Sequence, residues 1–192
     1  MRKLVYGIIG MFAVLSLSSC GYNTMVKLDE QVQSQWAQVQ NVYQRRADLI
    51  PNLVATVKGA ANFEKETLTA VIEARAKATQ VTVDPTKLTP ESIEKFQAAQ
   101  GQLSQALGRL LVVTENYPDL KANANFQELQ AQIEGTENRI TVERQKFNDV
   151  TQEYNSKIRS FPNNITAGMF GFTKKGYFQA DAASQKAPTV QF

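Results

Sequence analysis

Between positions 28 and 57 the apolar residues recur at alternating steps of three and four: Leu28, Val32, Trp36, Val39, Val42/Tyr43, Leu49/Ile50, Leu53 and Val57. That spacing is one stripe of an α-helix, and its length predicts a long bundle helix. Two stripe positions are polar, Gln35 beside Trp36, and Arg46. Gln and Ala are frequent on the other face, which favours helix. Pro51 lies inside the pattern. It removes one backbone N–H and predicts a bend near residues 46–50, with Asn52 a candidate to satisfy a freed carbonyl. Three more segments show the same period. Residues 63–80 carry Leu68, Val71/Ile72 and Arg75. Residues 90–117 carry Ile93, Phe96, Leu103, Leu107, Leu110/Leu111 and Thr114. Residues 125–160 carry Phe126, Leu129, Ile133, Thr136/Glu137, Ile140, Arg144, Phe147, Val150/Thr151, Tyr154 and Ile158.

The breaks between segments have their own chemistry. Gly59 and Asn62 mark a turn, as does Asp84-Pro85. Thr89-Pro90-Glu91-Ser92 reads as a helix start, with a Thr cap, Pro at the first helical position and an acidic first turn. "NYPDLKAN" interrupts the pattern again, and Phe161-Pro162 ends it. Long helices with one apolar stripe and short connections must pack on one another. The pattern therefore predicts an all-α fold over residues 25–162: an elongated antiparallel four-helix bundle with a kinked first helix. The tail, residues 163–192, is rich in aromatics (Phe170, Phe172, Tyr177, Phe178, Phe192), unlike a flexible linker. It is expected to dock on the bundle, with contact to a neighbour or partner as the second reading.

The start of the chain follows a different pattern. Arg2 and Lys3 precede an uncharged apolar run over residues 4–17, then Ser18, Ser19 and Cys20, the only cysteine. This is the layout of a secretory signal, and the run is shorter than the ~20 residues of a membrane-spanning helix. Leu17-Ser18-Ser19-Cys20 resembles the bacterial lipobox, which implies cleavage after residue 19 and acylation of Cys20. One acyl chain anchors marginally and two or three anchor stably. A signal peptide over residues 1–19, a lipidated tether over 20–24 and a membrane attachment through Cys20 are the expectation. The competing readings are a free buried thiol and an uncleaved single-span anchor.

Composition narrows the chemistry. The chain has 192 residues, 21 basic and 18 acidic, with no histidine. Charges of both signs are interleaved, so nothing suggests nucleic acid. Without histidine, and with its one cysteine consumed by lipid, the chain lacks the usual zinc, Ser-His-Asp and Cys-His constellations. No glycine-rich phosphate loop is present, and no cofactor is expected. Hydrolysis by carboxylates alone needs two acids converging in a cleft, and a bundle offers no evident one. A charge on a bundle seam must be paired. Arg46 or Arg45 is therefore expected to meet Glu137 across helices, in a polar network that also takes in Asp48, Arg139 and Arg144 and fixes helix register. Gly135 would let another backbone approach there. A ligand pocket at the kink and plain surface pairs are the alternatives.

The motifs "RRADLIPNLV", "YPDLKAN" and "GTENRI", with later "GF" and "YF", resemble the LemA family of bacterial proteins over residues 26–192. The resemblance implies a mostly helical bundle with an N-terminal membrane attachment, and no assigned catalytic residues. Some relatives are associated with organising bacterial membrane compartments. The expected function is a non-enzymatic, lipid-anchored envelope scaffold that self-associates on the extracytoplasmic side of a membrane. The alternative is an accessory module that regulates a membrane enzyme or signalling partner in the envelope.

Overall fold

The computed structural model describes residues 2–59 and 63–180, with side chains from residue 21 onward. The side chain of Cys20, those of the signal-like segment, and tail residues 181–192 lie outside that description. Among the described residues the chain is all-helical: α1 (Arg2–Lys58), α2 (Lys65–Gln80), α3 (Pro90–Thr114), α4 (Pro118–Lys121), α5 (Ala124–Arg159) and α6 (Asn163–Phe170). Residues 20–24 are part of α1. α5 has 36 residues, about 54 Å at ~1.5 Å per residue.

The helix starts follow their caps. Thr89 Oγ1 accepts from the Ser92 N–H at 3.2 Å with Pro90 at the first position of α3. Asn123 Oδ1 accepts from the N–H groups of Asn125 and Phe126, at 2.9 and 3.2 Å, and opens α5. Two short helices arise where sequence periodicity is too brief to show. α4 is a single turn that buries Leu120, and α6 lies in the tail and buries Ala167.

Pro51 lies within α1, which continues to Lys58. A residue at position 51 would normally donate to the carbonyl of Ala47. That carbonyl instead accepts from Arg75 Nε of α2, at 2.8 Å. The freed acceptor is satisfied across helices by Arg75 rather than by Asn52, whose own carbonyl accepts from Thr56 Oγ1 at 2.9 Å. Proline thus creates the acceptor that ties α2 to α1.

The core falls into two clusters. The first holds Met25, Leu28, Val32, Trp36, Val39 and Tyr43 of α1 with Ile93 and Phe96 of α3 and Ile140, Phe147, Tyr154 and Ile158 of α5. Val83, Leu88, Ala167 and Phe178 close it. The second holds Ile50, Leu53, Val54 and Val57 of α1 with Leu68, Val71, Ala74 and Ala78 of α2, Leu103, Leu107 and Leu110 of α3, and Phe126 and Ile133 of α5. Helix α2 thus covers only the second cluster. Over the first, its place is taken by the 81–89 loop and by an extended segment, residues 172–179.

Candidate functional site

Between the two clusters lies a layer of polar side chains. Arg46 is 1% exposed. Its Nη1 donates to Glu137 Oε1 at 2.5 Å and to Ser104 Oγ at 2.7 Å. Its Nη2 donates to Gln100 Oε1 at 2.7 Å and to the Gln100 carbonyl at 3.3 Å. Gln100 Nε2 donates in turn to the Ala78 carbonyl at 3.2 Å. One belt therefore joins α1, α2, α3 and α5. The guanidinium also lies 5.1 Å from the centre of the Tyr43 ring. Glu137 is 39% exposed, so water shares in its solvation and lowers the cost of burying the pair.

The other residues expected in this network go elsewhere. Arg45, Asp48 and Arg139 are exposed, and Asp48 accepts from Gln44 of its own helix at 2.7 Å. Arg144 faces the tail: its Nη2 donates to the Gln179 carbonyl at 2.8 Å and it stacks 4.9 Å from the Phe178 ring. Gly135 is exposed, and a Cβ there would meet nothing within 4 Å. The close backbone approach expected at that glycine is absent because Gly135 sits on the outer face of α5. A second polar seam position, Gln35, reaches across to Glu143 Oε2 at 2.6 Å. Glu143 also accepts from Lys146 at 2.8 Å. These two donors hold its carboxyl below the ordinary range, Lys146 contributing most.

The extended segment is held by a device that periodicity does not reveal. Three side-chain amides each grip one residue of it at both its N–H and its carbonyl. Asn155 Nδ2 donates to the Lys175 carbonyl and Asn155 Oδ1 accepts from the Lys175 N–H, both at 2.9 Å. Asn148 makes the same pair with Phe178, both at 2.9 Å. Gln97 makes it with Gln179, at 2.9 and 3.0 Å. The amides of Asn155 and Asn148 satisfy donors and acceptors that an extended chain would otherwise leave unpaired beside the core, and Gln97 holds the exposed end of the segment. Each follows an aromatic core residue directly in sequence: Phe96-Gln97, Phe147-Asn148, Tyr154-Asn155. That ring-then-amide pairing, with Asn148 and Asn155 seven apart on α5, is the sequence signal that could have found the clamp.

Two of the clamped residues also bury their side chains. Phe178 enters the aromatic cluster, 5.5 Å from Phe147, 6.0 Å from Trp36 and 6.4 Å from Phe96. Lys175 is buried, its Nζ 2.9 Å from Asp29 Oδ1 and 3.3 Å from the Thr86 carbonyl. Burial first, and then the Asp29 charge, push the neighbouring Tyr154 phenol well above its ordinary value. The phenol stays protonated and donates to the Thr173 carbonyl at 3.1 Å. Gly176 passes where no side chain fits: its N–H donates to the Leu88 carbonyl at 2.8 Å, and a Cβ would lie 2.7 Å from Pro90 Cα.

Belt and strap share a cleft of about 780 Å³, lined among others by Arg46, Ser104, Glu137, Arg144, Lys174 and Gln179. The guanidinium nitrogens of Arg46 that make contacts there are engaged by internal acceptors. Among the described residues no group of three or more His, Cys, Asp or Glu could hold a metal ion.

The LemA family model matches residues 35–192, which spans belt, clamps and strap. The chain belongs to the LemA family. It is similar to the magnetosome protein MamQ 2 of Paramagnetospirillum magneticum, 25% identical over 94% of this chain and 72% of that protein. It is 27% identical to protein LemA of Metamycoplasma hominis, over 82% of this chain and 68% of that protein. It is 23% identical to the magnetosome protein MamQ of Magnetospirillum gryphiswaldense, over 94% of this chain and 72% of that protein. The LemA match starts inside α1, so the segment carrying Cys20 falls ahead of it.

Proposed function

We propose that this LemA-family chain is a non-enzymatic, lipid-anchored envelope protein that acts as a self-associating scaffold on the extracytoplasmic side of a membrane. The observation that carries the reading is the continuity of α1. Cys20 lies on the same helix, α1 (Arg2–Lys58), as the α1 residues of the core, so the chain kept after cleavage is helical from its anchor onward. A load at the anchor is then transmitted to the whole domain without a flexible joint. The order of cross-helix pairs, Gln35 with Glu143 and Arg46 with Glu137, supports an elongated antiparallel bundle standing on that anchor. An elongated body fixed at one end leaves its long sides free for lateral packing into rings or sheets. Similarity to the magnetosome proteins MamQ 2 and MamQ fits a structural role.

Intact mass of the membrane-extracted protein tests the anchor. A mass for residues 20–192 plus acyl chains, lost in Cys20→Ala, is expected. A full-chain mass would replace the lipid anchor by an uncleaved N-terminal helix. Self-association is tested by mass photometry in mild detergent, where a species of several copies is expected and a monomer at micromolar concentration overturns it.

A further inference from the structure

Among the described residues nine large apolar side chains are exposed. Ile72, Val112 and Val142 are single residues on α2, α3 and α5. The other six are Tyr22 and Val26, among the first residues of α1 with described side chains, and Phe161, Ile165, Met169 and Phe170 of α6 and its lead-in. Isolated exposed apolar residues are ordinary, whereas a contiguous group marks an interaction surface. The two groups do meet. The Tyr22 ring lies 4.8 Å from Phe170 and 5.8 Å from Phe172, and Gly21 packs so closely on Asn163 that a Cβ there would collide with its side chain. α6 buries Ala167 against the body and turns Ile165, Met169 and Phe170 outward, at 58%, 78% and 61% exposure.

Two features specify what covers this face. The first is position. Tyr22 is two residues, about 3 Å of helix rise, from Cys20, the residue proposed above to carry the anchor. The second is charge. α6 has no charged residue, and from residue 154 to residue 180 the sequence contains Lys157, Arg159, Lys174 and Lys175 and no acid. Lys175 is taken by Asp29; Arg159 and Lys174 are exposed. An uncharged helix that turns apolar side chains outward, with the exposed Arg159 leading into it, suits a position at a membrane interface.

We propose that α6 lies on the bilayer, with Ile165, Met169 and Phe170 in the headgroup–acyl boundary and Arg159 at anionic headgroups. This rests on the membrane attachment proposed above and adds a second contact to it. Two contacts at one end fix the tilt and rotation of the body, where a single lipidated residue leaves both free.

Phe170→Trp in the full chain tests this, with the exposed Val112→Trp as the control; the buried Trp36 contributes the same background to both. The proteins are reconstituted with their anchor into phosphatidylcholine–phosphatidylglycerol vesicles, with and without shallow-brominated acyl chains. The expected result is a blue-shifted Phe170→Trp emission that brominated lipid quenches, with Val112→Trp unaffected. Equal emission from the two variants in protein that floats with the vesicles overturns the docking of α6 and leaves the attachment standing. Protein that does not float overturns the attachment and the docking together. A blue shift without lipid quenching overturns it in favour of a second copy covering the face.

Discussion

The two halves of this molecule solve the same packing problem with different materials. Beyond Arg46, α1, α2, α3 and α5 meet through an aliphatic core of Leu, Ile, Val and Ala with Phe126. Before Arg46, α2 is replaced by a loop and a strap, and the core becomes aromatic: Trp36 lies 5.1 Å from Phe96 and 5.5 Å from Phe147, and Tyr43 lies 5.0 Å from Phe96. The difference follows from what each cover can supply. A helix satisfies its own backbone and needs only an apolar stripe. An extended segment brings unpaired N–H and carbonyl groups, so the half it covers must provide amides at fixed positions. It also brings fewer side chains per unit of area, which large rings compensate. The aromatic half is therefore built from distant sequence, the aliphatic half mostly from neighbouring helices.

Breaking the strap should have the largest effect. Phe178→Ala empties a site shared by three rings and is expected to lower stability by about 3–5 kcal/mol. Tm and the near-ultraviolet signal of Trp36 report it. A truncation after Gly171 should do more, removing the clamp partners as well. A smaller loss from Phe178→Ala than from Leu107→Ala in the aliphatic half would mean that the strap covers the core without closing it.

Next comes the boundary itself. Arg46→Ala strands Gln100 and Glu137 beside a void, with an expected loss of about 3 kcal/mol in chemical denaturation. Glu137→Leu should cost a similar amount, about 3 kcal/mol, because it leaves the buried guanidinium without its counter-charge although Ser104 and Gln100 still accept from it. The paired Arg46→Met, Glu137→Leu should recover most of the stability but broaden the dispersion of amide resonances if the belt sets helix register. Unchanged dispersion would leave the belt as a tolerated ion pair with no say in how the two halves align.

The coupling of Arg75 to Pro51 is subtler. Arg75→Leu should cost about 1–3 kcal/mol by leaving the Ala47 carbonyl without its donor. In a Pro51→Ala background the backbone N–H returns and that cost should shrink, a coupling that a double-mutant cycle measures. Additive losses would show that Arg75 acts through packing alone.

The smallest effect concerns Glu143. Its carboxyl titrates below the usual value because Lys146 and Gln35 donate to its charged form. A depressed folded-state pKa contributes stability above the unfolded value of ~4.5, lost as pH falls through the folded one. Gln35→Leu should raise the Glu143 pKa toward the ordinary range, as read by carboxyl NMR titration. It should also flatten the acid limb of the stability curve by a few tenths of a kcal/mol, about the scale of a partly exposed hydrogen bond.

How much of this was legible depended on range. Residues three and four apart on one helix share a face whatever the rest of the chain does. The stripes of α1, α3 and α5 were therefore readable, as were the cap at Thr89 and the core placement of Trp36 and Tyr43. Arg46 stood out because a charge on an apolar stripe needs a partner, and Glu137 on another stripe was the matching charge. Arg144 obeyed the same spacing and went to the strap, because spacing says which face a residue is on but not which element covers it. Nothing local marked α6 as a docked helix, Arg75 as the donor to Ala47, or Gly176 rather than Gly135 as the tight glycine. By itself the sequence determined the helices, their buried faces and the signal-like start, since these follow from local periodicity and backbone chemistry. The division of the core, the exchange of α2 for a strap and the meeting of Tyr22 with Phe170 and Phe172 were decided by tertiary structure, because each depends on contacts between segments far apart in the chain.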